Sequence, residues 1–416
     1  MTTTSSEGDK EMKSIKKVSL GGLLAGALLA SSLVAASPAQ AAKPVVIWCD
    51  NARVAIIKAW ASSVKSQLGT ITVVGQDSVK TSLKTVRPVD APDIIIGAHD
   101  WIGAFKASNM IVPVVLPATA KFAPTVKAAF QISGKQYGVP MQTENVALFR
   151  NTKLVPKAPK TFAELEKVAL ALKKKKGSKF IPLAVPQGAG GDAYHMYPLF
   201  SGLGGYFFGG NTLKWNTKDV GVANPRFIKN TPIIEKWYKE GLIKASVSAD
   251  VAKSSFTSGN AAFYITGPWN LGAIRASGVS YAISGFPTIV NGIKPVPLVG
   301  VQGAMLTKYA KTHGVTTPAR KVLTALAGEP AQTFISNLML RAPANQKALA
   351  KYNRPGANEF QAAGKGGVPM AAMTAMNAVW AAVGTAWVKS TSGAYTKGKP
   401  AAAFKAAAAT VKKAVK

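Results

Sequence analysis

Cysteine is almost missing from this chain. Cys49 is the one thiol in 416 residues, which excludes an internal disulfide. It follows Val45-Val46-Ile47-Trp48 in an apparent strand and reads as a small buried hydrophobe. Histidine is nearly as scarce: His99, His195 and His313 stand scattered without metal-ligand spacing, so neither a metal nor a cofactor is expected. No Gly-x-Ser-x-Gly nucleophile elbow occurs. The glycine-rich stretch 187–191 lacks the Lys-Ser/Thr of a phosphate loop and the spacing of a dinucleotide fingerprint, and reads as a flexible loop. Acids are few as well. Eighteen Asp and Glu face 51 Lys and Arg, for a formal charge of +33. Such a charge favours polyanions, whether nucleic acid, anionic lipid or acidic cell-wall polymer. The lysines are dispersed, however. The one run, Lys173 to Lys176, falls at the end of a helix before Gly177, where cations suit the helix dipole, and the charge reads mostly as a solvated surface.

Long apolar runs are limited to one. Lys13, Lys16 and Lys17 precede Leu20 to Ala36, which ends in Ser37-Pro38-Ala39-Gln40-Ala41. This three-part pattern is a secretory signal with cleavage expected before Ala42. Residues 1–41 hold four lysines and three acids, so their removal leaves the charge almost unchanged. A lipidated cysteine would stand at the cleavage site, and Cys49 lies several residues too late, so no lipid anchor is indicated. Beyond the leader no stretch is apolar and long enough to span a bilayer. An exported protein, periplasmic or extracellular at the cell envelope, is the expectation.

What remains is globular and large. Hydrophobic content of 48% with 17% charged residues fits a folded protein, and this length predicts two lobes. Strand-like and helix-like stretches alternate. Residues 44–48, 71–74 and 93–96 read as strands, and Val54, Ile57, Trp60, Val64 and Leu68 mark a helix closed by Gly69. Such alternation signals a mostly parallel sheet covered by helices. Residues 134–140 read as a hairpin leading into a strand, and Thr161 with Glu164 forms a capping box. Residues 317–340 and 377–388 read as helical, and the Ala/Lys-rich tail 401–416 has high helix propensity. Asp50 and Arg53 follow the first strand, at the edge where open α/β sheets bind ligands.

The most informative stretch is FTSGNAAFYITGPWN, residues 256–270. An apolar strand is broken by Thr266-Gly267-Pro268, and Trp269 is delivered at a strand-to-helix junction. By itself such a Trp is either a core plug or a ligand group. The pattern F-x-x-G-x-A-x-x-x-x-G-P-W, followed by a Val-x-Tyr strand and Phe286-Pro287-Thr288, resembles the extracellular solute-binding proteins of ABC sugar importers, its maltose/maltodextrin-binding members above all. Pro92-Asp93-Ile94-Ile95 followed by Ala98-His99-Asp100 is similar to a further motif of that family.

The resemblance covers nearly all of 42–416. It implies an α/β fold of the two-lobed, periplasmic-binding-protein-like (type II) kind, with a ligand cleft between lobes joined by crossover hinge segments. The N-terminal lobe would comprise 42–142 plus 304–340 and the C-terminal lobe 145–298 plus 345–416, with hinges near 143–144, 299–303 and 341–344. It also implies ligand-binding roles. Trp269, Trp380 and Tyr194 would stack on sugar faces, and Asp100, Glu144 and Asp192 would accept from hydroxyls, the pairing of flat aromatics with ionised groups that sugars require. Asp50 and Arg53 complete the set.

Several positions depart from the maltodextrin-binding pattern. Gly97 stands in place of a Trp and Trp101 in place of an Arg, so that Trp101 is expected to supply the aromatic surface Gly97 lacks. Ala381 replaces a Tyr and Gly384 an Arg, which points to a shorter or different glucoside. The implied function is capture of a sugar by lobe closure and its delivery to membrane permease subunits, by a monomer that is not an enzyme. Two other classes stand beside it. A secreted basic protein could bind anionic wall polymer or nucleic acid, and Glu144 with Asp100 could form a glycosidase acid/base pair. The Gly-Pro-Trp motif together with Trp380 favours sugar over polymer phosphate.

Overall fold

A single residue, Val146, separates the two sheets of this protein: Val139–Asn145 belongs to the larger and Ala147–Asn151 to the smaller. The computed structural model describes residues 43–211, 214–393 and 400–416. The leader expected over 1–41 and its cleavage site lie outside the described residues. In the large sheet, Val45–Asp50 pairs in parallel with Ile71–Gln76 on one side and Ile94–Ala98 on the other. The long strand Leu298–Leu306 then runs antiparallel to Ile94–Ala98 and to Val139–Asn145. Two short strands complete it: Ala342–Pro343 pairs with Val139–Asn145, and Val368–Pro369 with the start of the long strand. The small sheet runs Tyr281–Ser284, Ala147–Asn151, Ala261–Thr266, Ile181–Ala184.

Each sheet is covered on both faces, because its strands are apolar on both. Val45, Ile47 and Cys49 enter one hydrophobic cluster with Ile57, Trp60 and Leu323, while Trp48 enters another with Leu83 and Phe105. In the small sheet Leu148 and Phe263 face one interior, and Phe149 and Tyr264 the other. Each fully buried side chain of this kind contributes ~1.5–3 kcal/mol. The two clusters of the large sheet draw on residues 45–141 and 301–335. Those of the small sheet draw on 146–298 and 360–411. The chain is thus a two-lobed α/β protein.

Local signals explain most element ends. Ser133 (φ 50°) and Gly134 (φ 74°) make the tight turn of a hairpin between Gln131–Ile132 and Lys135–Gln136. Thr161 Oγ1 accepts from the Glu164 N–H at 3.2 Å and Glu164 Oε2 from the Lys160 N–H at 2.7 Å, so the cap of Phe162–Lys176 forms with its return arm one residue early. Two expected helices are divided. The first, Asn51–Ser63, stops where Ser63 Oγ donates to the Trp60 carbonyl (2.7 Å), and a separate turn, Lys65–Leu68, ends at Gly69. The helix expected over 317–340 is two, Thr316–Ala327 and Glu329–Met339, because Pro330 has no N–H to give to the carbonyl four residues back and so suits the first turn of a new helix, with Gly328 extended between the two. The two C-terminal helices form over Met376–Thr391 and Pro400–Ala414.

Candidate ligand-binding site

The buried strand Ala261–Thr266 ends at Gly267, and a short turn, Pro268–Asn270, leads into Leu271–Ala276. Asn270 Nδ2 ties the turn to the strand by donating to the Tyr264 hydroxyl (2.9 Å) and to Thr266 Oγ1 (3.0 Å). The Trp269 ring folds back over Gly267, where a Cβ would stand 2.1 Å from Cζ3. Only glycine permits that approach. Trp269 meets His195 edge-on at 5.6 Å and Tyr194 at 6.1 Å, Tyr194 meets Trp380 at 6.5 Å, and Trp380 meets Phe207 at 5.7 Å. Asp192 organises this wall. It accepts from the backbone N–H groups of Tyr194 (3.0 Å) and His195 (2.9 Å), and it contacts His195 Nδ1 at 2.6 Å. Burial pushes the Asp192 carboxyl up, but the His195 charge and the hydrogen bonds from His195 and Tyr194 outweigh it and hold the carboxyl below its usual value.

Across from the wall, the ends of the large-sheet strands carry charge. Trp380 Nε1 reaches over to donate to buried Asp100 at 3.0 Å, and Lys80 Nζ donates to Asn377 Oδ1 at 2.7 Å. Trp101 lies over Gly97, whose Cβ would stand 2.1 Å from its Cζ3, so this ring occupies the space of a side chain at 97. His99 is fully buried between Val301 and Met370. The Val301 N–H donates to its Nδ1 (3.0 Å), so the proton sits on Nε2 and goes to the Met370 carbonyl (2.8 Å). Burial lowers its pKa against the pull of Asp100, which keeps the ring neutral.

The floor lies where the chain passes between sheets. Glu144 is buried; its Oε1 accepts from Gln302 Nε2 at 2.7 Å, and its Oε2 lies 3.2 Å from Arg341 Nε in an ion pair without hydrogen-bond angle. Arg53, on the first helix, pairs with Asp50. Burial, and then repulsion from Arg341, pulls the Arg53 guanidinium down to about 9 against Glu144 and Cys49, so it stays charged at neutral pH. At Gly300 a Cβ would stand 3.3 Å from Glu144 Cγ and 3.6 Å from the Tyr194 hydroxyl, so floor and wall face one spot. Burial first, then the Glu144 and Asp192 charges, push the Tyr194 phenol well above its usual pKa and keep it protonated. Five buried atoms here have no hydrogen-bond partner among the described residues: Arg53 Nε, Glu144 Oε2, Tyr194 OH, and Nε and Nη1 of Arg341. An orphan of this kind costs ~1–3 kcal/mol, more when charged.

Glu144, Tyr194, Trp269, Trp380 and Asp100 therefore form one connected group, Trp101 borders it beside Asp100, and Asp50 joins through Arg53. Asp192 spends its oxygens within its own turn. Sequence reading missed Arg341, Gln302, His195 and Phe207. Arg341 stands at the expected third crossing, and nothing local distinguishes it from other arginines. The glycine at 384 also finds its reason: Gly384 and the 187–191 loop pack backbone to backbone, with a Cβ on Gly384 only 2.7 Å from the Gly190 carbonyl oxygen. Ala381 turns away, into a groove against the last helix. A cavity of about 580 Å³ also borders Glu144. Its lining includes Thr143, Asn145 and Val299, which alternate along their strands with Glu144 and Gly300, and it takes in Glu144 but neither Gly300 nor Arg341. The chemistry lies on the Glu144–Arg341 side. Among the described residues no group of three or more His, Cys, Asp or Glu could hold a metal ion, and no helix is long and apolar enough to cross a membrane.

Residues 70–333 match the model of the family described as bacterial extracellular solute-binding protein, and the chain belongs to that family. It is 30% identical over 232 residues to the maltodextrin-binding protein MdxE of Bacillus subtilis, covering 53% of this chain and 54% of that protein. It is 29% identical over 247 residues to the galactooligosaccharide-binding protein of the same organism, covering 57% and 56%. With the maltooligosaccharide ABC transporter solute-binding lipoprotein of Streptococcus pneumoniae it shares 27% identity over 311 residues, 70% and 69% of the two chains. The chain spans about half the length of the two Bacillus relatives it matches.

Proposed function

We propose that this protein captures a sugar, a maltooligosaccharide or related glucoside, and delivers it to the permease subunits of an ABC importer. The observation that carries the reading is the arrangement of Tyr194, Trp269 and Trp380 opposite Glu144, Asp100 and the arginines. Aromatic rings on one lobe suit the C–H faces of a pyranose, and charged groups on the other lobe and on the hinge segments suit its hydroxyls. The names of the relatives support oligosaccharides of glucose or galactose. Closure would be a hinge motion of lobes 42–142 plus 304–340 and 145–298 plus 345–416 about segments near 143–144, 299–303 and 341–344. Binding without hydrolysis fits the two carboxylates, since Glu144 is engaged by Gln302 and Arg341 and Asp100 by Trp380. The reading includes export to the cell envelope as a monomer, where the strong positive charge, +33 for the whole sequence, favours an anionic surface.

A thermal-shift screen of the chain from residue 42 tests this against maltooligosaccharides, galactosides, polyamines and oligonucleotides. A ligand at about 100 times its dissociation constant adds ~2.7 kcal/mol to stability. The expected result is a shift with a neutral oligosaccharide. A shift with oligonucleotide alone would overturn the reading in favour of polyanion binding, and sugar released from a glycoside would make the protein an enzyme.

A further inference from the structure

The run Lys173 to Lys176 is not among the groups of the cleft, yet the fold gathers further lysines beside it. Where the helix Phe162–Lys176 ends, Gly177 (φ 89°) turns the chain through Ser178 and Lys179. The segment after Pro232–Lys239 brings Gly241, Lys244 and Ser246 alongside. With Lys173 these residues border a cavity of about 210 Å³, room for a group several times larger than a water molecule. No Asp or Glu lines it. The Lys173 side chain is half-buried, and its Nζ donates to the Gly241 carbonyl at 2.9 Å, which uses one of three hydrogens. At Gly241 (φ 71°) a Cβ would stand 2.5 Å from Lys173 Nζ and 3.7 Å from Lys244 Cε, so two lysine ends converge over one glycine.

This charge has no counterpart among the described residues. Lys173, Lys179 and Lys244 form no ion pair there, and the hydroxyls of Ser178 and Ser246 have no hydrogen-bond partner. Two acids adjoin the lining in sequence, Glu240 and Asp250, and they serve Lys236 (3.9 Å) and Lys253 (3.3 Å). Burial, and then repulsion from Lys244, lowers the Lys173 pKa, and no carboxylate acts to raise it. The helix dipole accounts for cations in the last turn but not for Lys179 and Lys244, which lie outside that helix. Lysines gathered around a hollow without carboxylates mark a place for an anion. Donors arrive from the helix end, from the turn after it and from residues 241–246. That spread suits the several oxygens of a tetrahedral phosphate better than a planar carboxylate, which an arginine fork matches.

We propose that Lys173, Lys179 and Lys244, with the hydroxyls of Ser178 and Ser246, form a second site on this protein that binds a phosphate group, free or carried in the backbone of an anionic polymer. The phosphate oxygens accept from the ammonium and hydroxyl groups and supply the negative charge that the lining lacks. Lys174 to Lys176, exposed beside the cavity, extend the positive surface along which further phosphates of a polymer would lie. The site does not depend on the sugar-binding reading.

Two measurements test it. The unfolding midpoint is followed in sodium phosphate and in sodium chloride at equal ionic strength, and binding of a glycerol phosphate oligomer is followed by calorimetric titration. The expected result is a higher midpoint in phosphate than in chloride, together with binding of the oligomer. Lys173→Gln/Lys244→Gln should abolish the phosphate-dependent shift and lower oligomer affinity at least about tenfold, the effect of losing a charge-assisted hydrogen bond. The control Lys58→Gln/Lys321→Gln removes the same charge from exposed positions on Asn51–Ser63 and Thr316–Ala327. It should change affinity less than about twofold, because distant exposed charges are screened. Should the first double variant fail to fold, Lys244→Gln alone, at an exposed position, decides in its place. A response to free phosphate alone or to the oligomer alone, lost in the variant, supports the site and identifies its source. No response of wild type to either, or equal losses in the two double variants, overturns the site and leaves sugar binding standing.

Discussion

The lobe interiors and the cleft wall use tryptophan in opposite ways. Trp60, Trp237 and Trp387 are enclosed on every side, with at most 2% of their surface exposed. Trp237 packs at 4.9 Å from the Phe162 ring and donates through Nε1 to the buried Glu166 carboxylate, which also receives Lys236 Nζ at 2.6 Å. Trp387 stands edge-on to Phe404 at 5.3 Å. By contrast Trp101, Trp269 and Trp380 are only half-buried. Two of them lie with one face against a glycine, Gly97 or Gly267, and the third is held through its indole N–H by Asp100. A core tryptophan contributes area, whereas a cleft tryptophan is fixed from one side so that part of its ring stays uncovered. Gly97 and Gly267 are what make that fixing possible.

Three substitutions test the contrast, taken from the largest effect to the smallest. Trp237→Ala empties an enclosed site and should cost ~3–5 kcal/mol of unfolding free energy in urea, with sugar affinity of the folded protein unchanged. Lost affinity with stability intact would erase the distinction. Trp269→Ala should do the reverse. Removing an aromatic face worth ~1.5–3 kcal/mol lowers affinity roughly 10- to 200-fold, while sugar-free stability falls less than for Trp237→Ala. A severely destabilised Trp269→Ala protein that binds normally once folded would place Trp269 with the core. Gly97→Ala puts a methyl 2.1 Å from the Trp101 ring, which then has to move. The expected cost is ~1–3 kcal/mol, together with a changed near-ultraviolet circular dichroism band. Unaltered stability and spectrum would mean that the glycine is not what seats the ring.

Much of the wall was legible in the chain. Gly267-Pro268-Trp269 lies within three residues, and a strand broken by Gly-Pro places the next residue at a junction whatever surrounds it. The same holds for the Thr161 cap, settled by contacts within four residues, whereas the hairpin expected over 134–140 turns earlier, at Ser133-Gly134. The break at Val64 was not legible, because the apolar spacing runs through it. Arg341 was less legible still. Its environment comes from Glu144 and Arg53, which are remote from it in sequence.

By its own order of residues, the chain determined the alternation of strands and helices, the division into two lobes, and the Gly-Pro-Trp junction that presents an aromatic ring. These depend on periodicity, chain length and short-range turn chemistry, all of which act between near neighbours. Tertiary structure alone decided that the Trp380 indole N–H reaches the Asp100 carboxylate, which is remote from it in sequence. It alone brought Arg53, Glu144, Tyr194 and Arg341 together over Gly300. A buried charge takes its meaning from the groups that replace water around it, and those groups come from four separate segments.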